Sequence, residues 1–208
     1  EMAALAYPDR IGLRRKGDAP RYVLSGGKGA VMPDDDDMSG ARLIVATDLD
    51  GNPREARIRQ AIRIDEAALR GLFADQIAWH DVCLWDRRER RVASRRQERF
   101  GALLLDDRVW KDAPDDAVAR AMLDGVRDLD LNWSDAARRF VARVELLRTA
   151  GEDLPDMREP ALLDQLEDWL LPFLSGVRTA QDWKRFDMLD ALHARLNHAQ
   201  MQRLDKQV

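Results

Sequence analysis

"REARIRQAIRI", residues 54–64, decides the fold class of the first half of the chain. It alternates strictly, with Ala56, Ile58, Gln60 and Ile62 on one side of an extended backbone and Arg57, Arg59, Ala61 and Arg63 on the other. That pattern predicts a strand with one buried face and one wet, cationic face. Towards the N-terminus, "ARLIVATDLDG" (41–51) is a second strand. "RYVLSGGKGAVM" (21–32) sets apolar-rich runs on either side of Gly26 and Gly27, a pair suited to the positive φ of a tight hairpin turn. Towards the C-terminus, "DEAALRGLFA" (65–74) is a short helix with Asp65 as its expected cap. "AWHDVCLWD" and "RRVASRRQERFGALLL" follow as two strands around a charged turn. Five or six short strands with one helix predict a small β-barrel or a strongly bent sheet.

The period changes at "KDAPDDAVARAMLDGVRDL" (111–129). Pro114 sits near a helix start, acids fill the first turn, and Val118, Met122, Val126 and Leu129 recur at helical spacing. Ser134 is the expected cap of "DAARRFVARVELLRTAG", and "EPALLDQLEDWLLPFLSGV" is a third helix ended by Pro172 and Gly176. Thr179 and Asp187 are expected to cap "AQDWKRF" and "MLDALHARLNHAQMQRLDK". The fold class is therefore α+β: a β-rich part over 8–112, then an all-α helical bundle over 113–208.

Composition agrees. Of 208 residues, 45% are hydrophobic and 35% charged, which describes a folded, soluble chain. No apolar run approaches the roughly 20 residues of a membrane span and no leader pattern precedes a cleavage site, so no membrane contact and a cytoplasmic location are expected. Cys83 is the one cysteine, which excludes an intrachain disulfide and reads as a small apolar filler in a strand. The net charge of −4 is unevenly spread: residues 1–112 sum to +1 and residues 113–208 to −5. The first part is the better candidate for meeting an anion, through a local cluster rather than an overall basic character.

Several stretches imitate chemistry without its spacing. In "SGGKGA", Lys28 is followed by Gly29, whereas a phosphate loop needs Ser or Thr there. "DLDGNPRE" lacks the spacing of a calcium loop, and Asp34–Asp37 read as a solvated loop. His193 and His198 stand five apart, unlike a helical zinc pair, so neither a metal site nor a catalytic residue is expected. Trp133, Trp169 and Trp183 read as core.

"WDRRERRVASRRQER" (85–99) stands out, with Arg87, Arg88, Arg90, Arg91, Arg95, Arg96 and Arg99 on one hairpin. These guanidinium groups could track a phosphate backbone while Trp79 or Trp85 stacks on a base. They could equally be a charged edge that prevents sheet association. Arg14 and Arg15, with Lys16, form a weaker patch with the same two readings.

Six stretches, "LAYPDRIGLRR", "RYVLSGGKGA", "RIRQAIRID", "NWSDAARRFVARVELLR", "LEDWLLPFLSGVR" and "LHARLNHAQMQRLD", together resemble the region after the RecA-like domains of HrpB-type bacterial ATP-dependent helicases, relatives of the DEAH/RHA helicases. The resemblance runs from about residue 3 to the end. It implies that residues 1–7 end an upstream helicase-associated helical region, and that 8–112 form an OB-like β-rich module able to contact nucleic acid. It also implies that ATP and magnesium belong to RecA-like domains elsewhere in the parent helicase, with no cofactor and no catalysis in this stretch. Expected partners are single-stranded nucleic acid, weakly held, and the RecA-like and helicase-associated domains. The family's chain continues past Val208, so an uncompleted sheet edge that dimerises is a further expectation. The alternative is a protein-interaction scaffold that binds no nucleic acid.

Overall fold

The computed structural model describes residues 1–206 and divides into two compact units. The first comprises Glu1–Asp81 and Arg95–Val109, and the second Val82–Ser94 and the chain from Trp110 onward.

In the first unit, β1 (Ile11–Arg14), β2 (Arg21–Leu24), β3 (Gly29–Val31), β4 (Leu43–Leu49) and β5 (Ala56–Arg63) close a barrel in the order β1-β2-β3-β5-β4. Pairing is antiparallel except between β3 and β5. The ring closes with strands of this chain alone. β4 is the continuous apolar run because both its faces are covered. Ile44 and Ala46 point into a cluster with Tyr22, Leu24, Ala30 and Ile58, while Leu43 and Val45 meet Ile11, Leu69, Phe73 and Leu103. Each fully buried side chain of this kind contributes about 1.5–3 kcal/mol. Tyr22 is fully buried, yet its hydroxyl donates to the Ala41 carbonyl at 2.7 Å.

The alternation in β5 does not persist along the whole strand. Ala56 and Ile58 are buried as expected, but the β4–β5 register shifts on either side of Asp48, so parity changes beyond Gln60. Ala61 then packs inward, while Ile62 is 49% exposed. The Gly26–Gly27 turn forms as read, with Gly27 at φ +94°. The helix after β5, α2 (Glu66–Leu72; α1 is Met2–Ala6), starts after Asp65, whose side chain makes no capping bond.

A separate three-stranded sheet has the order β6-β7-β8, from β6 (Ile77–Asp86), β7 (Arg91–Phe100) and β8 (Leu103–Val109). The division between units falls within β6 and β7. The single strand expected over "RRVASRRQERFGALLL" is two strands, because Phe100 pairs with Leu103 across a two-residue turn that starts with Gly101 at φ +52°. A Cβ at Gly101 would stand 2.5 Å from the Ser25 carbonyl oxygen, which accepts the Ala102 N–H at 3.0 Å.

The helical part of the second unit contains α3 (Asp115–Leu129), α4 (Asp135–Thr149), α5 (Glu159–Asp164), α6 (Leu166–Trp169), α7 (Ala180–Arg185), α8 (Leu189–His193) and α9 (His198–Lys206). Ser134 caps α4 through the Ala137 N–H, and Thr179 and Asp182 form a reciprocal capping box on α7. The last expected helix is interrupted. Asn197 and Gln200 exchange side-chain-to-backbone bonds at 2.9 and 3.0 Å, which starts a new helix at α9. The third expected helix likewise breaks into α5, α6 and a 3-10 turn over Leu171–Phe173. Met122, Val126, Val144, Leu162, Leu166, Trp169, Trp183 and Leu192 build the core. No helix of the described residues is long and apolar enough to cross a membrane.

Candidate nucleic-acid interface

The arginines of residues 87–99 do not form one track. Arg95, Arg96 and Arg99 lie in the first unit, and Arg87, Arg88, Arg90 and Arg91 in the second. Adjacent residues of a strand also point to opposite faces, which separates Arg95 from Arg96.

On one face of the three-stranded sheet, Arg96 of β7 stands opposite Arg108 of β8. The Arg108 guanidinium lies 5.0 Å from the centroid of the Trp79 ring, on β6, and Arg96 Nε donates to Asp81 Oδ1 at 3.0 Å. With Val109, these residues line a shallow open groove in which Trp79 is 46% exposed. The sequence pattern places Trp79 near the cluster but gives no sign of Arg108, which the strand pairing brings to it. The cations here have acidic partners. Arg108 Nη2 meets Asp106 at 2.7 Å, which holds the Asp106 carboxyl below its usual range. On the other face, Arg95 Nε bonds Asp107 at 2.9 Å, which raises the Arg95 pKa, and Arg99 bonds the Gln97 side chain. Glu98, two residues after Arg96 and opposite Asp106, is buried and pairs with Arg70.

At the hairpin's turn the arrangement inverts. Asp86 Oδ1 accepts the N–H groups of Arg88 and Glu89, both at 2.9 Å, and Arg90 completes the turn in the left-handed region at φ +54°. Arg91 bridges Thr179, with bonds from Val92 N–H to the Arg178 carbonyl and from Ala180 N–H to the Arg90 carbonyl. Arg87 is held by Asp128 at 3.2 Å. Trp85 is no stacking platform. The residue is 8% exposed, its ring packs so closely on Gly125 that a Cβ there would lie 2.6 Å away, and its Nε1 donates to Asp128 Oδ2 at 3.0 Å. A Trp facing a helix with a glycine opposite is core, so the expected base contact at Trp85 is corrected. Cys83 is partly buried, with Sγ 3.3 Å from the Ser94 hydroxyl.

The weaker patch is also divided. Arg14 donates to the carbonyls of Ser39, Gly17 and Asp18 at 2.8, 3.0 and 3.2 Å, so it staples loops together, whereas Arg15 is exposed. The glycine turn after β2 does not fit a nucleotide phosphate. Its Gly26 and Gly27 amides are already bonded to the Asp9 and Leu24 carbonyls at 2.9 and 2.8 Å. Among the described residues, no three His, Cys, Asp or Glu side chains gather into a metal-sized cluster.

No family model matches the chain. The ATP-dependent RNA helicase HrpB of Escherichia coli is 31% identical over 217 residues, covering 100% of this chain and 26% of its own length. Among solved structures, the E. coli DExH-box NTPase HrpB is 30% identical over 98% of this chain and 26% of that one, with a TM-score of 0.48. The Escherichia coli DEAH/RHA helicase HrpB is 27% identical over 97% and 26%, with a TM-score of 0.45. The chain thus spans about a quarter of the length of the relatives it matches.

Proposed function

We propose that this chain, which resembles a C-terminal region of HrpB-type helicases along its whole length, is a non-catalytic accessory region of an ATP-dependent helicase that contacts single-stranded nucleic acid. The observation that carries the contact is the groove of Trp79, Arg96 and Arg108: an exposed indole with two guanidinium groups beside it. Such a surface stacks an unpaired base while its cations meet the flanking phosphates, and it does so without regard to sequence. A closed five-stranded barrel with one parallel pairing supports an OB-like character for the same unit. The helical unit is a scaffold. ATP and magnesium act at RecA-like domains of the parent protein, which, with the helicase-associated region, are this chain's partners in a cytoplasmic enzyme.

Fluorescence anisotropy of labelled single-stranded RNA and DNA, titrated with the chain at several salt concentrations, tests the reading. Trp79→Ala is expected to remove one stacked base, about 1–3 kcal/mol or roughly 5- to 150-fold in Kd. Unaltered affinity in that variant would sink the groove assignment. A folded chain that binds neither strand at low salt would turn the accessory region into a protein-interaction scaffold.

A further inference from the structure

The cations of the second unit have no role in that groove. Arg88, Arg90, Arg91, Arg178 and Lys184 are all exposed, and among the described residues no ion pair holds any of them. Arg90, Arg91 and Lys184 line one shallow groove with Glu89, Thr179, Ala180 and Gln181. The groove exists because the hairpin turn pairs with Arg178–Ala180, which brings a strand end beside the start of α7. Uncompensated like charges repel and lower stability, yet here they persist in a part of the chain whose balance is acidic.

Arg90 adds an independent observation. Its φ of +54° is one that glycine adopts freely, whereas a side chain there costs about 1–2 kcal/mol. Its carbonyl is tied to the Ala180 N–H, so the conformation is imposed by the pairing. A long cation in a glycine position, pointing out of a turn, trades conformational energy for charge.

We infer that this turn is a second nucleic-acid surface, one that grips the phosphodiester backbone whether or not the bases are paired. This deepens the reading above, with different residues. Guanidinium forks match phosphate oxygens, and Thr179 and Gln181 add neutral hydrogen-bonding groups. The tryptophans on either side of it in sequence, Trp85 and Trp183, are both buried, and no aromatic side chain lines the groove, so nothing here reads or stacks on a base. Ala180 is the single apolar side chain in the lining, which leaves an acidic peptide without the apolar anchor that protein interfaces use. A surface of this kind holds duplex as well as single strand, in contrast to the Trp79 groove.

The test titrates the 208-residue chain into a labelled RNA duplex and a single strand of equal length, across a range of salt. A combined Arg88→Ala, Arg91→Ala, Lys184→Ala variant is expected to weaken duplex binding by about tenfold, with the salt slope reduced by about 0.9 for each phosphate no longer neutralised. Arg90→Gly is expected to weaken it in the same direction without lowering the thermal midpoint, which separates an effect of charge from one of folding. Duplex affinity unchanged in the combined variant overturns the inference. So does a parent chain that ignores duplex but binds polyglutamate, which would assign the turn to an acidic protein. Trp79→Ala bears only on the single strand, so the two surfaces fail independently.

Discussion

Arg96 and Arg108 on the sheet, and Arg88, Arg90 and Arg91 at the hairpin turn, are the same chemical group in opposite surroundings. On the sheet the guanidinium groups are answered by Asp81 and Asp106, and the tryptophan beside them is exposed. At the turn no carboxylate of the described residues pairs with the guanidinium groups, and the tryptophan is sealed against Gly125. A run of arginines in a sequence is therefore not yet a field. The carboxylates that strand pairing brings alongside decide how much charge remains, and the packing of the aromatic decides whether a base or only a phosphate can be met.

The sharpest way to break this contrast is to exchange the fates of the two tryptophans. Trp85→Ala opens a cavity beneath the turn and is expected to cost about 3–5 kcal/mol in urea unfolding, whereas Trp79→Ala should change stability by less than about 1 kcal/mol. Equal losses would mean that Trp79 is also structural. A middle-sized effect is expected from Arg70→Ala, which leaves the buried Glu98 carboxylate without its cation and should cost about 1–3 kcal/mol. Arg91→Ala at the turn should stay within about 0.5 kcal/mol in the same assay, and a larger loss would reveal a partner for it.

The smallest effect is a pH dependence in the segment with which the turn pairs. Asp182 is held below the usual carboxylate range, first by the Arg178 backbone N–H and then by Thr179, against the opposing effect of burial. A depressed carboxyl stabilises the fold above its unfolded value of about 3.9 and loses that contribution as pH falls through the folded value. Acid titration by circular dichroism should therefore show a small loss of stability as pH falls below about 4. Asp182→Asn should flatten that part of the curve, and an unaltered curve would remove the capping box from the account.

Much of this is legible in the residues. Period two up to about residue 110 and period 3.6 beyond it are local signals, and the strands, the Gly26–Gly27 turn and the Ser134 and Thr179 caps follow from them. The break before α9 is written in the sequence as Asn197 and Gln200, a capping box hidden inside an otherwise helical stretch. What cannot be read depends on residues far along the chain. Ile62 faces outward because of a register shift against β4, and Arg108 reaches Trp79 only when β8 pairs with β7. Trp85 is buried by Gly125 and Asp128, the latter 43 positions away. A residue chosen by type and spacing can therefore prove to be core, as Trp85 does.

Gly101 extends the same point to other sequences. Two separate constraints meet at this position, a positive φ and a Ser25 carbonyl oxygen at 2.5 Å from where a Cβ would be. Relieving either one leaves the other in force, so no compensating change elsewhere in the turn admits a larger residue. A related chain that carries anything but glycine here has given up the seating of the β7–β8 turn on Ser25.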